Sequence, residues 1–400
     1  MDTQYKEMDL YNPTDEHKML RETVRSFVQA EVEPQAQEYD SKEIFNLDLF
    51  RKLGELGLLG ITADPNHGGS GMDALAAVIA HEELSAADPG FCLAYLAHSM
   101  LFVNNLSFNG SEEQKQKFLP RLCSGEHVGA MAMSEPAVGT DVLAMETTAK
   151  KEGDHYILQG RKMWITNGTI DESRTPCDLV WVYAKTGEID GRPLLSTFIV
   201  ERGFPGFSVG QKIKDKLGMR ASNTAELVFE SCKVPSSHLI GQEGDSLGHM
   251  MKNLEIERVT LAAMGVGIAR RCVEIMNKYA NERMAFGQRL NQFGQIQSYI
   301  AESFAEYRAM KAYVYETARM MDLTDSGNRL DSDGVKLIAS KGSKAIADRA
   351  IQVLGGYGYV GEYVVERLWR DAKLLEIGGG TIEAHQKNIA RDLIKFPSLL

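Results

Sequence analysis

The 400-residue sequence predicts an α+β fold in which a helical segment, a β segment and a second helical segment follow one another. Hydrophobic residues recur at helical spacing before about residue 127 and after about residue 241. Between these positions, short runs rich in β-branched and aromatic residues are separated by turn residues. This order differs from the regular alternation of strands and helices in a parallel α/β sheet. We expect a helical N-terminal domain over 1–127, an antiparallel, β-barrel-like middle domain over 128–240 and a helical C-terminal domain over 241–400.

The first domain is predicted to be helical from about residue 12. Thr14 follows Pro13 and is a suitable N-cap for the periodic sequence "EHKMLRETVRSFVQAEV". The sequences "LFRKLGELGLLGI" and "DALAAVIAHEELSAA" have the same periodicity. The Gly-rich sequence "DPNHGGSGMD" between them predicts a loop.

The middle domain has short strand patterns, whereas the C-terminal domain has long helical patterns. In the middle domain the predicted strands are "HYILQGRKMWIT", "DLVWVYAK", "LSTFIVE" and "AELVFESCKV". In the C-terminal domain two long helical patterns are "LEIERVTLAAMGVGIARRCVEIMNKYANERMAFG" and "GVKLIASKGSKAIADRAIQVLGG".

Composition argues against several classes of protein. The net charge is −11 and no basic block is present, so we expect no nucleic-acid partner. The N-terminus lacks a signal-peptide pattern, and the uncharged helical stretch Val259–Ala269 is too short to cross a bilayer, so we expect no membrane association. The five cysteines are scattered without metal-ligand spacing, which favours a reduced, cytoplasmic protein without a metal site.

Two glycine motifs resemble known signatures but lack their structural context. Gly356–Gly361 fits G-x-G-x-x-G, yet a helix rather than a strand precedes it, so a helix–helix connection is favoured over a dinucleotide site. Gly244–Gly248 fits the G-x-S-x-G of serine hydrolases, with Ser246 as the nucleophile, but the required α/β sheet is not predicted. The run Gly378–Thr381 is not a phosphate-binding loop because no Lys precedes the Thr.

One face of the long predicted helix carries a carboxylate among apolar residues. At about 100° per residue this face consists of Leu254, Glu257, Leu261, Met264 and Ile268, and Glu255 lies roughly 200° from Glu257, nearer the polar side. A buried carboxylate is costly unless it is paired. Burial raises its pKa toward neutrality, which suits a general base. Glu257 is therefore either a catalytic base or a partner in a structural ion pair.

Six separated segments resemble the acyl-CoA dehydrogenases, in that family's order and spacing. They are "MAMSEPAVGTDV", "KMWITNG", "KLGMRASNTAELVFESCKVP", "ERMAFGQ", "IQVLGGYGY" and "RDAKLLEIGGGT". The resemblance covers nearly the whole chain. Within the family the sequence is most similar to the isovaleryl-CoA dehydrogenase branch, as in "LAYLAHS" and "NLEIERVTLA".

The resemblance implies a fold, a cofactor and a reaction. The fold is a helical N-terminal domain, a β middle domain and a C-terminal four-helix bundle. FAD lies between the last two domains, and the protein is a homotetramer in the cytoplasm, or in the mitochondrial matrix for a mature eukaryotic form. The reaction removes an α proton and a β hydride from an acyl-CoA thioester, and the electrons pass to an electron-transfer flavoprotein.

The resemblance also bears on the catalytic base. Most of the family carries a glutamate at the position of Gly379, whereas the isovaleryl branch draws its base from the long helix, at the position of Glu257. The resemblance therefore favours Glu257 as the base. Gly378, Gly379 and Gly380 then leave room for a branched acyl group; alternatively, they only cap a helix and permit tight packing.

The FAD contacts implied by the resemblance fall into five segments. Met131, Met133, Ser134, Gly139 and Thr140 line the edge of the ring, and Trp164, Ile165 and Thr166 lie along it, with Thr166 near N5. The alternative for Trp164 is a place in the β-domain core. The residues implied at the FAD pyrophosphate and adenosine are Arg283, Phe286, Gln352, Val353, Leu354, Gly355, Gly356, Thr381 and Glu383. The alternative for Arg283 is a solvated cation at a helix end.

The implied substrate contacts are fewer. Thr140, Glu255 and Arg258 match positions near the CoA chain, although Glu255 is alternatively a surface residue. Leu93, Leu96, Ala97 and Met100 share one helical face and either wall the acyl pocket or form ordinary core.

Three departures from the family pattern affect these expectations. Phe293-Gly294-Gln295 replaces a "FQ" pair, so Gln295 either substitutes for an FAD contact or the contact is lost. Residues 169–177 form an insertion. Leu96 replaces a smaller residue and reshapes the acyl pocket, which leaves open a cyclic, aromatic-substituted or dicarboxylic acyl-CoA. A flavin-free acyl-CoA binder or a serine hydrolase is the alternative from another class.

Overall fold

The structure, a computed structural model, describes residues 9–325 and 327–396 and confirms the predicted order of helical, β and helical segments. In the first helical segment the α-helices are α1 (Asp15–Phe27), α2 (Glu33–Lys42), α3 (Leu47–Glu55), α4 (Ala74–Ser85), α5 (Pro89–His98), α6 (Asn104–Asn109) and α7 (Glu112–Cys123). In the second they are α8 (Ser246–Glu282), α9 (Gly294–Met320), α10 (Arg329–Leu354), α11 (Val365–Leu375) and α12 (Ile382–Lys395).

The strands lie between these helical segments, apart from one short hairpin. They are β1 (Gly129–Ala132), β2 (Thr148–Glu152), β3 (His155–Thr166), β4 (Leu179–Ile189), β5 (Arg192–Glu201), β6 (Phe207–Lys212), β7 (Thr224–Pro235), β8 (Leu239–Ile240), β9 (Met284–Ala285) and β10 (Gln288–Arg289). The large sheet has the order β6-β7-β3-β2-β4-β5-β8, with β1 on β4.

The middle domain is mainly antiparallel, as predicted, but two of its pairings are parallel. β1 runs parallel to β4, with Met131 opposite Trp181, and Thr148 of β2 pairs in parallel with Lys185 of β4. The sequence did not predict β1 or β2. β1 has only four residues, and β2 ("TAKKE") is mostly charged and exposed, so neither has a strong strand pattern.

The N-terminal helices begin with the predicted cap. The Thr14 side chain accepts a hydrogen bond from the His17 N–H, which fixes the start of α1. The predicted helix "LFRKLGELGLLGI" ends earlier than expected, at Glu55, because Gly57 adopts φ +73° in the turn that follows.

The prediction that Val259–Ala269 is the longest uncharged helical stretch is wrong. The helical stretch Pro89–Asn109 is longer, and its length and composition would suffice to cross a membrane, with a mean hydropathy of 1.3 over 18 of its residues. However, 83% of those 18 residues are buried inside the protein, where α5 packs against β1, β3 and α8. It is a core helix by position.

The long helix α8 is the centre of the C-terminal domain. It packs against α9 and α10 on one side and against α4 of the N-terminal domain on another. It ends at Glu282, so the prediction of helix through Gly287 is wrong. Phe286 (φ +51°) and Gly287 (φ +80°) instead form a tight turn between β9 and β10.

Candidate active site

Glu257 lies on α8 where that helix is enclosed on every side. All residues from Glu255 to Ala269 are buried, because α4, α5, α9, α10 and α11 surround this part of the helix. The predicted contrast between an apolar stripe and a polar side is therefore absent here. The prediction that Glu255 lies on a polar side is wrong, since it is as buried as Glu257, at 6% exposure for each.

The Glu257 carboxyl group is poorly solvated. Its Oε2 atom has no hydrogen-bond partner among the described residues. Burial raises the pKa of Glu257 to about 7, although the positive charges of Arg258 and Lys336 act in the opposite direction. A carboxyl group with such a pKa can take up a proton near neutral pH.

The triple-glycine segment lies directly beside Glu257. A Cβ atom built on Gly379 would be 3.3 Å from Glu257 Oε1 and 2.2 Å from Leu261 Cδ1. Since real Cβ atoms do not approach a neighbour within 3.0 Å, a side chain at residue 379 would displace Leu261. The position where the family usually carries its glutamate is therefore next to the carboxylate of α8.

The glycines also end a helix, so the capping interpretation holds as well. The N–H of Gly378 donates to the Leu374 carbonyl at 2.7 Å, which closes α11. Gly379 and Gly380 have φ values of +65° and +97°, a conformation that favours glycine. Thr381 then caps α12 by accepting a hydrogen bond from the Ala384 N–H. We refer to Gly378–Gly380 as the glycine turn.

Two charged residues on α10 near Glu257, Lys336 and Asp333, were not predicted from the sequence. Lys336 on α10 donates to the Leu375 carbonyl and to Ser340 Oγ, and burial lowers its pKa to about 7. Asp333, one turn earlier, lies 2.5 Å from His385 Nδ1 and 3.2 Å from Arg258 Nη1. The sequence signal that could have revealed them is the pair of opposite charges at Asp333 and Lys336, three residues apart in a helix predicted to be buried.

The structure gives Glu255 hydrogen bonds that the sequence did not predict, and its contact with the CoA chain stays a prediction. Its carboxylate accepts hydrogen bonds from the N–H groups of Gly327 and Asn328, at 3.3 and 2.9 Å, just before α10 begins. An anionic group at a helix N-terminus is stabilised by the unpaired N–H groups there. Glu255 therefore holds the α9–α10 connection to α8.

The helical face predicted to wall the acyl pocket lies in α5 and the turn after it. Leu96, Ala97 and Met100 are buried, and Leu93 is partly buried. α5 contacts both α8 and α11, the helices that carry Glu257 and the glycine turn. This helical face is therefore part of the core, and its helix packs against the helix that carries the candidate base.

The predicted flavin-edge segments are next to each other in the middle domain. The Met163 N–H donates to the Ser134 carbonyl at 2.9 Å, and Lys162 Nζ donates to the Met133 carbonyl at 3.0 Å. Lys162 is itself buried and paired with Glu135 at 2.9 Å. These contacts hold the loop after β1, which carries Gly139 and Thr140, against the end of β3.

Trp164 is not part of the β-domain core. It lies at an irregularity in the pairing of β3 with β7, has φ +66° and is 62% exposed. A large aromatic side chain held outward in an unfavourable backbone conformation is a candidate contact surface. Ile165 next to it is buried, and Thr166 is partly exposed.

A second group of predicted residues lines an open hollow of about 450 Å³ in the C-terminal domain. Arg283, Val353, Leu354, Gly355 and Gly356 all contribute to its wall. A Cβ atom built on Gly355 or Gly356 would meet nothing within 4 Å, so the backbone faces open space. The Arg283 guanidinium lies over the Tyr357 ring at 5.9 Å. No described residue of the middle domain lines this hollow.

The remaining predicted residues are at the surface. Gln352, near the end of α10, and Glu383, in the first turn of α12, are exposed, and Phe286 at the hairpin turn is 98% exposed. Gln295 is exposed in the first turn of α9, and its part in cofactor binding stays a prediction.

The 169–177 insertion is tied to β6. Arg174 donates to the Gly210 carbonyl, and Glu172 pairs with Lys212 and Lys214.

Ser246 does not have the setting of a hydrolase nucleophile. It is fully buried at the start of α8, and its hydroxyl group is hydrogen bonded to Thr197 Oγ1 at 2.6 Å. A nucleophile elbow requires an exposed serine at the top of a parallel sheet. The motif around Ser246 is therefore a helix start.

Comparison with known proteins decides the family. Models of the acyl-CoA dehydrogenase N-terminal, middle and C-terminal domains match residues 14–126, 130–232 and 247–394. Isovaleryl-CoA dehydrogenase, mitochondrial, of Pongo abelii is 42% identical over 382 residues, which cover 94% of this chain and 88% of that protein. The chain belongs to the acyl-CoA dehydrogenase family.

Two further comparisons support this assignment. 2-Methylacyl-CoA dehydrogenase, mitochondrial, of Solanum tuberosum is 40% identical over 383 residues, covering 95% of this chain and 91% of that protein. The structure of butyryl-CoA dehydrogenase from Megasphaera elsdenii superposes with a TM-score of 0.90 at 34% identity, covering 95% and 98% of the two chains. The protein is thus an oxidoreductase of a flavoprotein family.

Proposed function

We propose that this acyl-CoA dehydrogenase uses FAD to oxidise a short branched acyl-CoA to its 2-enoyl-CoA, with Glu257 as the base that removes the α proton. One observation carries the proposal. The buried carboxyl of Glu257 lies 3.3 Å from the point where a side chain on Gly379 would begin, so it is directly beside the backbone of the glycine turn.

The properties of Glu257 suit the first chemical step. The hydrogen on the carbon next to a thioester is weakly acidic, so its removal needs a carboxylate within hydrogen-bonding reach. Burial raises the Glu257 pKa to about 7, which makes its carboxylate a stronger base than a solvated glutamate. After proton transfer the neutral acid is the form that a buried site favours.

The enolate that develops needs hydrogen-bond donors at the thioester oxygen. Among the described residues, no acceptor is paired with the N–H of Gly379 or of Gly380. Backbone N–H groups at such a turn can approach a ligand closely because glycine has no side chain. We assign the glycine turn the role of orienting the thioester carbonyl beside Glu257.

The residues present fit FAD at two places. The exposed face of Trp164, with Ser134 and Thr166 nearby, suits the isoalloxazine ring, and Arg283 with the open backbone at Gly355 and Gly356 suits the pyrophosphate. Bound FAD would supply the acceptor for the β hydride. Since no described residue of the middle domain lines the hollow near Arg283, we infer that one FAD bridges two copies of the chain, as in a homotetramer.

The similar proteins favour a short branched substrate. Two relatives are named for isovaleryl-CoA and for 2-methylacyl-CoA, and both groups are branched. Leu96 is buried on α5, which contacts α8 and α11. The reduced cofactor would be reoxidised by an electron-transfer flavoprotein, in the cytoplasm or the mitochondrial matrix.

Anaerobic titration of the purified protein with a panel of acyl-CoAs tests this function. The flavin absorbance should bleach with isovaleryl-CoA or 2-methylacyl-CoA at concentrations well below those needed for octanoyl-CoA. Preferential bleaching by a cyclic, aromatic-substituted or dicarboxylic acyl-CoA would overturn the substrate class alone. A colourless protein, or one that no acyl-CoA reduces, would overturn the dehydrogenase proposal.

A further inference from the structure

The imidazole of His385 joins α10 to the glycine turn. It lies in the first turn of α12, is 1% exposed, and has acceptor groups at both ring nitrogens. Nδ1 lies 2.5 Å from Asp333 Oδ1, and Nε2 lies 3.1 Å from the Gly380 carbonyl oxygen. The ring therefore connects a buried carboxylate with the backbone that faces Glu257.

Each of these two contacts requires a hydrogen atom between its heavy atoms. One hydrogen lies between Nδ1 and the Asp333 carboxyl oxygen, and another on Nε2 points to the Gly380 carbonyl, which can only accept. Asp333 Oδ1 also lies 3.2 Å from Arg258 Nη1. The contact with Asp333 therefore orients the ring so that its Nε2–H donates to the Gly380 carbonyl.

The same ring is in van der Waals contact with the turn. A Cβ atom built on Gly380 would lie 2.8 and 2.9 Å from two atoms of the His385 ring. Contact and hydrogen bond together restrict Gly380, and Gly379 is its covalent neighbour beside Glu257. A displacement of about 1 Å at a reacting centre can cost roughly a hundredfold in rate.

We propose that His385, oriented by Asp333, is a positioning residue that holds the glycine turn at the distance from Glu257 that α-proton removal requires. The inference rests on the proposed function, because it gives the turn a place in the reaction. It adds a pair of residues to which neither motif nor resemblance assigned a role.

Two variants of His385 separate its two hydrogen bonds. His385→Gln keeps an amide donor within reach of the Gly380 carbonyl, whereas His385→Asn keeps a donor near Asp333 and loses the one toward Gly380. We expect His385→Asn to lower kcat about 10- to 100-fold with KM changed less than about threefold, and His385→Gln to lose less than about tenfold.

His81→Gln is the matched control. His81 is also buried, and its Nδ1 is hydrogen bonded to the Ala77 carbonyl at 2.6 Å within α4, in the N-terminal helical segment. This variant should lose thermal stability while its kcat stays within about twofold of the wild type. A wild-type kcat in His385→Asn, or a loss in His385→Gln as large as in His385→Asn, would overturn the positioning role.

A readout independent of turnover completes the test. In protein labelled with 15N-histidine, the resonances that disappear in His385→Gln should include a hydrogen-bonded Nε2–H. A ring whose Nε2 carries no hydrogen would contradict the hydrogen bond to the Gly380 carbonyl. Reduction of the wild-type flavin by an acyl-CoA, measured in parallel, reports on the proposed function, so a failure of either proposal is recognised separately.

Discussion

At the scale of single residues, the proposed function assigns the base to Glu257 on α8, whereas the glycine turn beside it supplies only backbone groups. The burial that raises the Glu257 pKa also leaves its Oε2 atom without a partner among the described residues. A buried polar group without a partner lowers stability, so its presence favours a functional role over a purely structural one.

The raised pKa of Glu257 predicts a specific pH dependence. Only the carboxylate form can accept the α proton, so kcat/KM should rise about tenfold per pH unit below pH 7 and level off above it. The rise should remain in Glu255→Gln, because that carboxylate binds the N–H groups before α10. Stopped-flow measurement of flavin reduction across pH 5.5–9 provides the profile. A profile without any inflection near pH 7 would speak against the assignment.

The sequence pattern predicted the burial of Glu257 but not the burial of Glu255. Periodicity placed Glu257 among apolar residues, and that position is buried. The same reasoning failed for Glu255 because α8 is enclosed on all sides, and periodicity distinguishes only helices that have an exposed face. The partners of Glu255 are more than 70 positions away in the sequence, so no local pattern could reveal them.

At the scale of elements, α8 and the glycine turn pack closely at the proposed base. Leu261 lies one turn after Glu257, and its Cδ1 atom would be 2.2 Å from a Cβ atom at residue 379. A glutamate at residue 379 would therefore require the Leu261 side chain to move, which favours the proposal that the base is on α8.

Moving the glutamate from residue 257 to residue 379 tests this role of Leu261. The double variant Glu257→Gly/Gly379→Glu should be inactive or poorly folded, because the new side chain meets Leu261 and Gly379 has φ +65°. Adding Leu261→Ala should restore turnover at least about tenfold by opening the space, although the left-handed backbone still costs roughly 1 kcal/mol. Equal activity of the double and triple variants, measured by anaerobic flavin reduction, would show that Leu261 does not exclude the base.

Elements with strong patterns were predicted well and weak ones were not. The sequence "HYILQGRKMWIT" coincides with β3, and its neighbours β4, β5 and β7 lie where their aromatic and β-branched runs predicted. β6 and β8 escaped prediction because one is partly polar and the other has two residues. The helical pattern continued past the true end of α8, since the turn at Phe286 and Gly287 depends on backbone conformation rather than on hydrophobic spacing.

At the scale of the whole molecule, a buried charge network joins the two helical segments. Glu82 on α4 lies 2.8 Å from Lys311 of α9, 3.3 Å from Arg21 of α1 and 3.6 Å from Arg270 of α8. These cations lower the pKa of Glu82 to about 2 despite its complete burial. The network fixes how the N-terminal helices sit against α8, which carries Glu257.

Removal of Glu82 should therefore destabilise the whole protein. Glu82→Ala leaves the buried Lys311 without its carboxylate partner, whereas Arg21 and Arg270 keep Glu83, and the expected loss is about 3–5 kcal/mol of unfolding free energy at neutral pH. Glu316→Ala is the control, because in the described part of the chain Glu316 pairs only with the neighbouring Arg319 on the surface, and it should cost less than about 1 kcal/mol. Chemical denaturation of both variants measures the difference, and equal midpoints would refute the structural importance of the network.

The pKa of Glu82 also sets the direction of its pH dependence. Its folded-state pKa is lowered, so its stabilising contribution is present above the ordinary glutamate pKa and is lost as pH falls toward about 2. The difference in unfolding free energy between wild type and Glu82→Ala should accordingly shrink on acidification.

The role of Glu257 as the base is tested most sharply by the rate of flavin reduction by isovaleryl-CoA in Glu257→Gln, followed by stopped flow with wild type and Glu255→Gln alongside. Glutamine keeps the size of the side chain but cannot accept the α proton. We expect the rate to fall roughly 10²–10⁴-fold, with flavin content and acyl-CoA binding retained, and a far smaller loss in Glu255→Gln. A Glu257→Gln enzyme that reduces its flavin within tenfold of the wild-type rate would contradict it.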